Sequence, residues 1–474
     1  MSTSQRLISV ALTAGAALIL ITILSTSTLS GFIGTLLAVL LLLCGAGWWL
    51  TDQARRLGQY TAWLGLLLAV GGVLGLLQLG WFEAGSMLLL GCVVMLVAGF
   101  ASVWRMPLSE GIPAARVDLL LAVKVLLDEL VMGYFLSSLK FPKGRKRQQV
   151  MQESRQALSS MQARGWLENP ASMHPAPQCP EQTQRVSAWY KGHAYHKLFF
   201  DSSFTGLDLP GSERWLAQKQ QVRARIFEHA GEPRPWLVCV HGYRMGWLPL
   251  DFQLFPPGWL HHKLGFNLLM PILPLHGQRR LGWRSGDYLF DGDVMDMLHA
   301  ITQGVHDLRC LLAWIREDRG EQRIAMLGYS LGGLHAALVA SLEENLDSLI
   351  AGIPLVDIPD MMWAHSPRSL VQDFEDQGLG LEQIQELLKP VSPLQLQPQL
   401  PLNRLGVAAA SSDRLVPAAP VLELINHWNQ SAPLWYSGSH LSVRRERVMR
   451  DWLQQQWQNA GLVQTGLNLA ARAG

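Results

Sequence analysis

The chain has 474 residues, of which 49% are hydrophobic and only 16% charged, and its mean hydropathy is +0.14. That is room for two domains, and too apolar for a wholly water-soluble protein. A net charge of +2 gives no long-range attraction to nucleic acid, so no nucleic-acid partner is expected.

Four apolar segments open the chain: Leu7 to Leu24, Phe32 to Leu50, Tyr60 to Leu79 and Met87 to Trp104. Each is about 18 to 20 residues without a charge, enough to cross the hydrocarbon of a bilayer as a helix. Trp48, Trp49, Trp81 and Trp104 sit near the ends, where interface anchors belong. Buried helices of a soluble core, or a cleaved leader covering the first segment, are the alternatives. Arg6, Arg55, Arg56 and Arg105 all fall on one side of such an arrangement, whereas the opposite loops carry only Glu83. By the positive-inside rule the expectation is a multi-pass anchor over 1–106 in the cytoplasmic (inner) membrane, with the rest of the chain in the cytoplasm and membrane lipids as partners. The glycines from Gly71 to Gly75 would let helices pack closely.

A different character begins after Trp104. Val117 to Phe141 is apolar but interrupted by Asp118, Lys124, Asp128 and Glu129 at roughly helical intervals, which reads as an amphipathic helix. A basic cluster follows, Lys140, Lys143, Arg145, Lys146 and Arg147, suited either to anionic headgroups or to a solvated loop. Glu168 to Glu181, with four prolines, reads as an irregular entry to the next domain. The whole of 107–184 is thus expected to connect anchor and core.

The globular part shows a run of strands. Val222 to His229 alternates as an outer antiparallel strand should, while Trp236 to Val240, Phe266 to Leu275, Leu349 to Val356 and Gly406 to Ala410 are continuous apolar runs of buried strands. Met295 to Ile315, Ala418 to Trp428 and Leu441 to Trp457 read as helices. In the middle stands Arg323 to Gly333, where the apolar run Ile324 to Leu327 breaks into Gly328-Tyr-Ser330-Leu-Gly332 and a helical pattern follows from Leu331. The pentapeptide alone recurs by chance. Strand, sharp turn and helix around it are the setting of a nucleophile elbow, with Ser330 exposed at the turn and small residues flanking it.

An exposed serine needs a base and an orienting acid. Asp413 lies just past the strand ending at Ala410, in Ser-Ser-Asp-Arg-Leu-Val-Pro, and His440 follows a strand reading at Pro433 to Tyr436, in Ser-Gly-Ser-His-Leu-Ser. Asp357, at the end of its own strand, is an alternative acid. No metal is expected: His261, His262, His193 and His196 have no carboxylate or cysteine partners at ligand spacing, and the five cysteines show none either. His427, on a helix, reads as structural.

The order Ser330, Asp413, His440, with the wording around each, resembles the α/β-hydrolase family of serine esterase and lipase type over roughly 185–460. A further likeness, to the group around alpha/beta-hydrolase domain-containing protein 18, lies in Leu273 to Arg279 and the Gly-Asp-containing loop after it. The resemblance implies an α/β fold, mostly parallel with helices on both faces, behind four transmembrane helices. It implies an oxyanion hole from the amides of Tyr243 and Leu331, with Arg244 as an alternative to Tyr243, and a cap over about 358–402 in which Met361, Met362 and Trp363 line the substrate pocket. The residues from Arg279 to Asp293 would contact substrate or pair with one another. Expected is a membrane-anchored serine hydrolase without cofactor, acting on a small-molecule or lipid ester or thioester. An acyltransferase using the same triad, or a non-catalytic scaffold, remain alternatives, and neither oligomeric state nor the role of the tail 461–474 can be read.

Overall fold

The computed structural model describes residues 28–464 except 51–55, 77–80, 107–109, 219–220, 321 and 431, together with scattered positions before residue 28. The chain forms two compact units.

The first unit comprises Met1–Ser138, Ala410–Ala418 and Trp435–Glu446. Its helices are α1 (Thr28–Leu50), α2 (Leu57–Gly75), α3 (Trp81–Trp104) and α4 (Leu119–Ser138). Two of them, α2 and α3, are long and apolar enough to cross a membrane. The part of α1 that meets the same hydropathy test, Thr35–Leu50, is shorter, and the expected span at 7–24 lies largely outside the described residues. Among the described residues the number of such helices is therefore two, not four. The glycines of α2 allow its close fit to α3: a Cβ on Gly65 or Gly72 would run into the Gly91, Ala84 and Leu88 backbone. Helix α4 forms within the segment read as amphipathic, Val117 to Phe141. It packs on α3, where Gly99 meets Ala122, and on α2, where Trp63 covers Gly133. Its buried face sets Asp128 and Glu129, both at 0%, among the apolar Leu121, Val125, Leu126 and Met132, while Leu119, Leu120 and Leu127 are exposed.

The second unit comprises Leu139–Ala409, Ala419–Leu434 and Arg447–Gly474. Its elements, some shared across the divisions of the chain, are α5 (Gly144–Ala163), β1 (Gln184–Tyr190), β2 (His193–Asp201), α6 (Ser212–Leu216), β3 (Gln221–Phe227), β4 (Trp236–Val240), α7 (Leu248–Leu254), β5 (Asn267–Pro271), α8 (Val294–Arg319), β6 (Ile324–Tyr329), α9 (Leu331–Ala340), β7 (Ser348–Gly352), α10 (Ile358–His365), α11 (Arg368–Asp376), α12 (Leu381–Leu387), β8 (Leu405–Ala410), α13 (Ala418–His427), β9 (Leu434–Tyr436) and α14 (Arg447–Asn459). The basic cluster lies at the start of α5, where Lys146 pairs with Asp293 at 2.7 Å and Arg147 pairs with Asp373, so it is not simply a solvated loop.

The strands form one sheet in the order β1-β2-β3-β5-β4-β6-β7-β8-β9. β5, β4, β6, β7 and β8 run parallel, and β1, β2 and β3 add antiparallel pairs. β4, β5, β6, β7 and β8 are buried at every position, which is why each reads as an unbroken apolar run: helices cover both faces of a parallel sheet. The sequence reading placed β3 at the edge, but it is an interior strand between β2 and β5. Its polar Arg225 does not face water. The guanidinium is 2.6 Å from Asp251 Oδ2 and 2.8 Å from the Gly246 carbonyl, and Asp251 Oδ1 accepts the Gly246 amide at 3.0 Å. Outside β3 lies the β1–β2 hairpin, turned at Lys191 (φ 47°) and Gly192 (φ 84°) as a two-residue hairpin loop requires.

Removing one partner of the Arg225–Asp251 pair strands the other charge in the core. Asp251→Ala is expected to lower unfolding stability by about 3–5 kcal/mol, read by denaturant titration, and a loss below about 1 kcal/mol would show that the pair is solvated.

Candidate active site

The central strand β6 ends at Tyr329, and the chain reverses at Ser330 into α9 with no connecting loop. Ser330 has φ 57° and ψ −116°, a conformation costly for any residue with a Cβ. It persists because the surroundings determine it from several sides: the Ser330 amide donates to the Gly352 carbonyl at 3.0 Å, and the Ser330 carbonyl accepts from Leu334 at 3.0 Å and Leu355 at 3.1 Å. The turn is possible only with glycine on each side. A Cβ on Gly328 would strike the Gly332 carbonyl, and one on Gly332 would strike the Val240 carbonyl.

The loop after β4 lies against this turn, since a Cβ on Gly242 would be 3.4 Å from the Ser330 Cβ. His241 fixes that loop. Its Nδ1–H donates to the Gly242 carbonyl at 2.9 Å while Nε2 accepts the Leu273 amide at 3.2 Å, and burial, the largest influence, pushes its pKa down to about 3. It is therefore a neutral structural brace. Tyr243 is half-buried, its ring edge-on to Phe290 at 4.9 Å. Arg244 has φ 65° and a buried guanidinium bound to Asp287 and, at 3.0 Å, to the Ser285 carbonyl. Leu331 is the first residue of α9, where an amide has no partner within the helix.

Asp413 and His440 lie together in the first unit. Asp413 follows β8 and accepts the Leu415 and Val416 amides on Oδ1 at 2.9 and 2.8 Å, which aims Oδ2 at His440 Nδ1, 2.6 Å away. A carboxylate only accepts, so Nδ1 carries the proton and Nε2 is left as the basic nitrogen. Burial works against the charged imidazole. The charge and hydrogen bond of Asp413, with the charge of Asp128, outweigh it, and the His440 pKa is raised above the ordinary histidine value.

The sequence reading missed Asp128. Its Oδ2 accepts the amides of His440 at 2.8 Å and Arg414 at 3.2 Å, and its Oδ1 accepts the Leu441 amide at 3.0 Å with Ser439 Oγ at 2.9 Å. Glu129 beside it takes Arg414 Nε at 2.7 Å. The only signal in the sequence was a pair of adjacent acids in an otherwise apolar helix. The same contacts explain why the segment from Leu441, expected to be helical, forms a turn held at its first amide, with α14 beginning at Arg447.

Other expected site residues have separate fates. Met361, Met362 and Trp363 are half-buried on α10. Asp357 caps that helix by accepting the Asp360 amide at 2.9 Å, so its carboxylate already has a structural task. Within the segment after β5 the Arg284 amide donates to Asp287 Oδ2 at 2.9 Å, and three of its charged side chains pair outside it. Asp287 pairs with Arg244, Arg279 with Asp307 at 2.7 Å, and Asp293 with Lys146, because their partners come from other elements. His193 stacks on His262 and His229 on His261, and no group of three or more potential metal ligands occurs among the described residues.

The alpha/beta hydrolase fold family profile matches residues 235–390. Two uncharacterized proteins of Mycobacterium tuberculosis, from strains CDC 1551 / Oshkosh and ATCC 25618 / H37Rv, are each 35% identical over 372 residues, covering 77% of this chain and 89% of the relative. Among solved structures, acetyl xylan esterase 1 from Thermoanaerobacterium sp. JW/SL YS485 aligns with a TM-score of 0.43 at 15% identity, covering 62% of this chain and 98% of that one. The chain belongs to the α/β-hydrolase fold family.

The raised His440 pKa has a checkable consequence. Its stabilising contribution is complete below about 6.5, the ordinary histidine value, and is lost as pH rises through the higher folded value. Histidine-selective NMR should find the His440 imidazole titrating above about 6.5 in the wild type and clearly lower in Asp413→Asn, where only the charge of Asp128 still opposes burial. Equal midpoints would deny the pair its electrostatic role.

Proposed function

We propose that the chain is a membrane-anchored serine hydrolase that cleaves a carboxylic ester or thioester of a lipid-like acyl group. What carries the reading is Ser330, held in a strained turn at the carboxyl end of the central strand and at the start of a helix. Ser330 Oγ attacks the carbonyl carbon as His440 Nε2 takes its proton, and Asp413 stabilises the imidazolium. The developing oxyanion is received by the amides of Tyr243 and Leu331, each such donor typically lowering the barrier by about 3–4 kcal/mol. Collapse expels the alcohol or thiol with the proton from His440. Water, deprotonated by the same imidazole, then attacks the acyl-serine and releases the acid. Met361, Met362 and Trp363 on α10 suit an apolar acyl chain.

The membrane reading is supported by α2 and α3, long and apolar enough to cross a membrane and with large apolar side chains such as Leu67, Leu74 and Leu89 exposed. With the spans expected before them, they would hold the catalytic part at the cytoplasmic face of an inner membrane.

A fluorophosphonate probe should label the full-length protein at Ser330, with labelling absent in Ser330→Ala and reduced at least ~10³-fold in His440→Ala; equal labelling of all three proteins would remove the serine mechanism. Turnover of a short-chain p-nitrophenyl ester in the presence of added alcohols separates hydrolysis from acyl transfer by the product formed. Cys92, exposed near the middle of α3, should resist a charged maleimide in native membranes and react after denaturation. Ready modification in membranes would place that helix in water.

A further inference from the structure

We propose that Asp128, on the helix that follows the apolar segments, is a positioning residue for the acid–base pair, its buried carboxylate holding in place both loops that carry Asp413 and His440. This inference rests on the triad reading above and adds a fourth residue to it, from a part of the chain that the hydrolase fold itself does not supply.

The argument begins with donors. The loops after β8 and β9 are cross-linked through Ser411 to Tyr436 and Ser412 to Gly438, both at 3.0 Å. Beyond those bonds, four successive donors converge on Asp128: the Arg414 amide from the acid's loop, and Ser439 Oγ with the His440 and Leu441 amides from the histidine's loop. Three of the four are backbone N–H groups, which cannot rotate away. A carboxylate has lone pairs for all four, and no neutral side chain of that size does. Oδ2 is shared between one amide from each loop, so its position sets the spacing of Arg414 and His440, and with it the line from Asp413 Oδ2 to His440 Nδ1. The carboxylate is itself immobile. It stands on a helix whose next residue, Glu129, is bound to Arg414 at 2.7 Å, and whose Lys124 pairs with Glu446 at 2.6 Å. The charges facing His440 are those of Asp413 and Asp128, while Arg414, Lys124 and their acids are paired with each other.

Asp128→Asn preserves the shape but places two hydrogens where two donors now point. With the amide nitrogen in place of Oδ2 the Arg414 and His440 amides both lose their acceptor, and in place of Oδ1 the Leu441 amide and Ser439 Oγ lose theirs. The full-length protein in detergent micelles is the material, with the fluorophosphonate and p-nitrophenyl butyrate as probes and histidine-selective NMR as a readout independent of turnover. Asp118→Ala serves as control: it removes the cap that Asp118 Oδ1 gives the Leu121 amide at 2.8 Å and weakens the same helix without touching either loop.

Expected for Asp128→Asn are labelling and kcat about 10- to 100-fold lower, as for a catalytic group displaced by a fraction of an ångström to an ångström, with KM little changed and the His440 titration midpoint lowered. Asp118→Ala should lower the melting temperature while leaving rate and midpoint at wild-type values. The proposal is overturned if folded Asp128→Asn keeps the wild-type midpoint and rate, or if Asp118→Ala reproduces its losses. A wild type that resists the probe would instead end the serine reading, and the histidine titration would still decide the role of Asp128.

Discussion

The structure turns on the absence of two side chains. Strand β6 and helix α9 meet at Ser330 so tightly that the carbonyls of Gly332 and Val240 occupy the places where Cβ atoms of residues 328 and 332 would stand. Only that closeness lets a strand pass directly into a helix, and only a direct passage forces a serine into a positive-φ conformation at the tip. The parallel strands on either side follow from the same demand. β4 and β7 must flank β6 in register for the Gly352 carbonyl to meet the Ser330 amide and for the loop after β4 to rest against the serine. The sheet thus holds a locally unfavourable turn in place by surrounding it with hydrogen bonds it cannot lose singly.

Electrostatics divides the polar residues of the chain into two groups. In the second unit Arg225 with Asp251 and Arg279 with Asp307 are buried ion pairs of one cation with one carboxylate. They fix loops and strand ends. The Asp413–His440–Asp128 cluster is different, because two carboxylates face one imidazole. The excess negative charge is what raises the affinity of His440 for a proton in a place where burial alone would lower it. At Asp128 burial and the charge of Asp413 work against ionisation, and the charge of His440 and the Leu441 and His440 amides offset them only in part.

How much of this was legible in the sequence depends on whether a residue's environment is written in its neighbours along the chain. β4, β6 and β8 are buried on both faces, so their continuous apolar runs declared them, and the elbow between β6 and α9 was marked by its own glycines. Asp413 and His440, which the structure pairs at 2.6 Å, could be singled out because each lies a few residues past a strand. β1 and β2 gave no such sign: β1 is largely exposed, and its mixed composition carries no pattern. Asp128 was invisible for a stronger reason. Helical periodicity assigns polar residues to water, and the donors that make burial acceptable come from residues about 290 to 310 positions later in the sequence. The charged loop after β5 misled in the same way, since proximity in sequence suggested internal pairs while the side-chain partners of Asp287, Asp293 and Arg279 come from the loop after β4, from α5 and from α8.

Helix α4 joins these two lines. In water, a helix that leaves Leu119, Leu120 and Leu127 exposed and buries two carboxylates would lose twice, exposing apolar surface at about 25 cal/mol per Å² and desolvating charge. The carboxylates are compensated by the loops of the acid and the histidine. Among the described residues of the first unit nothing covers Leu119, Leu120 and Leu127, and α2 and α3, on which the helix packs, expose apolar side chains as well. A hydrocarbon surrounding removes that cost for all three helices at once, so the proposed bilayer and the catalytic loops would hold the same helix from opposite sides. On that account the apolar segments are more than a tether: the helix they support is the one that sets the spacing of the acid and the base.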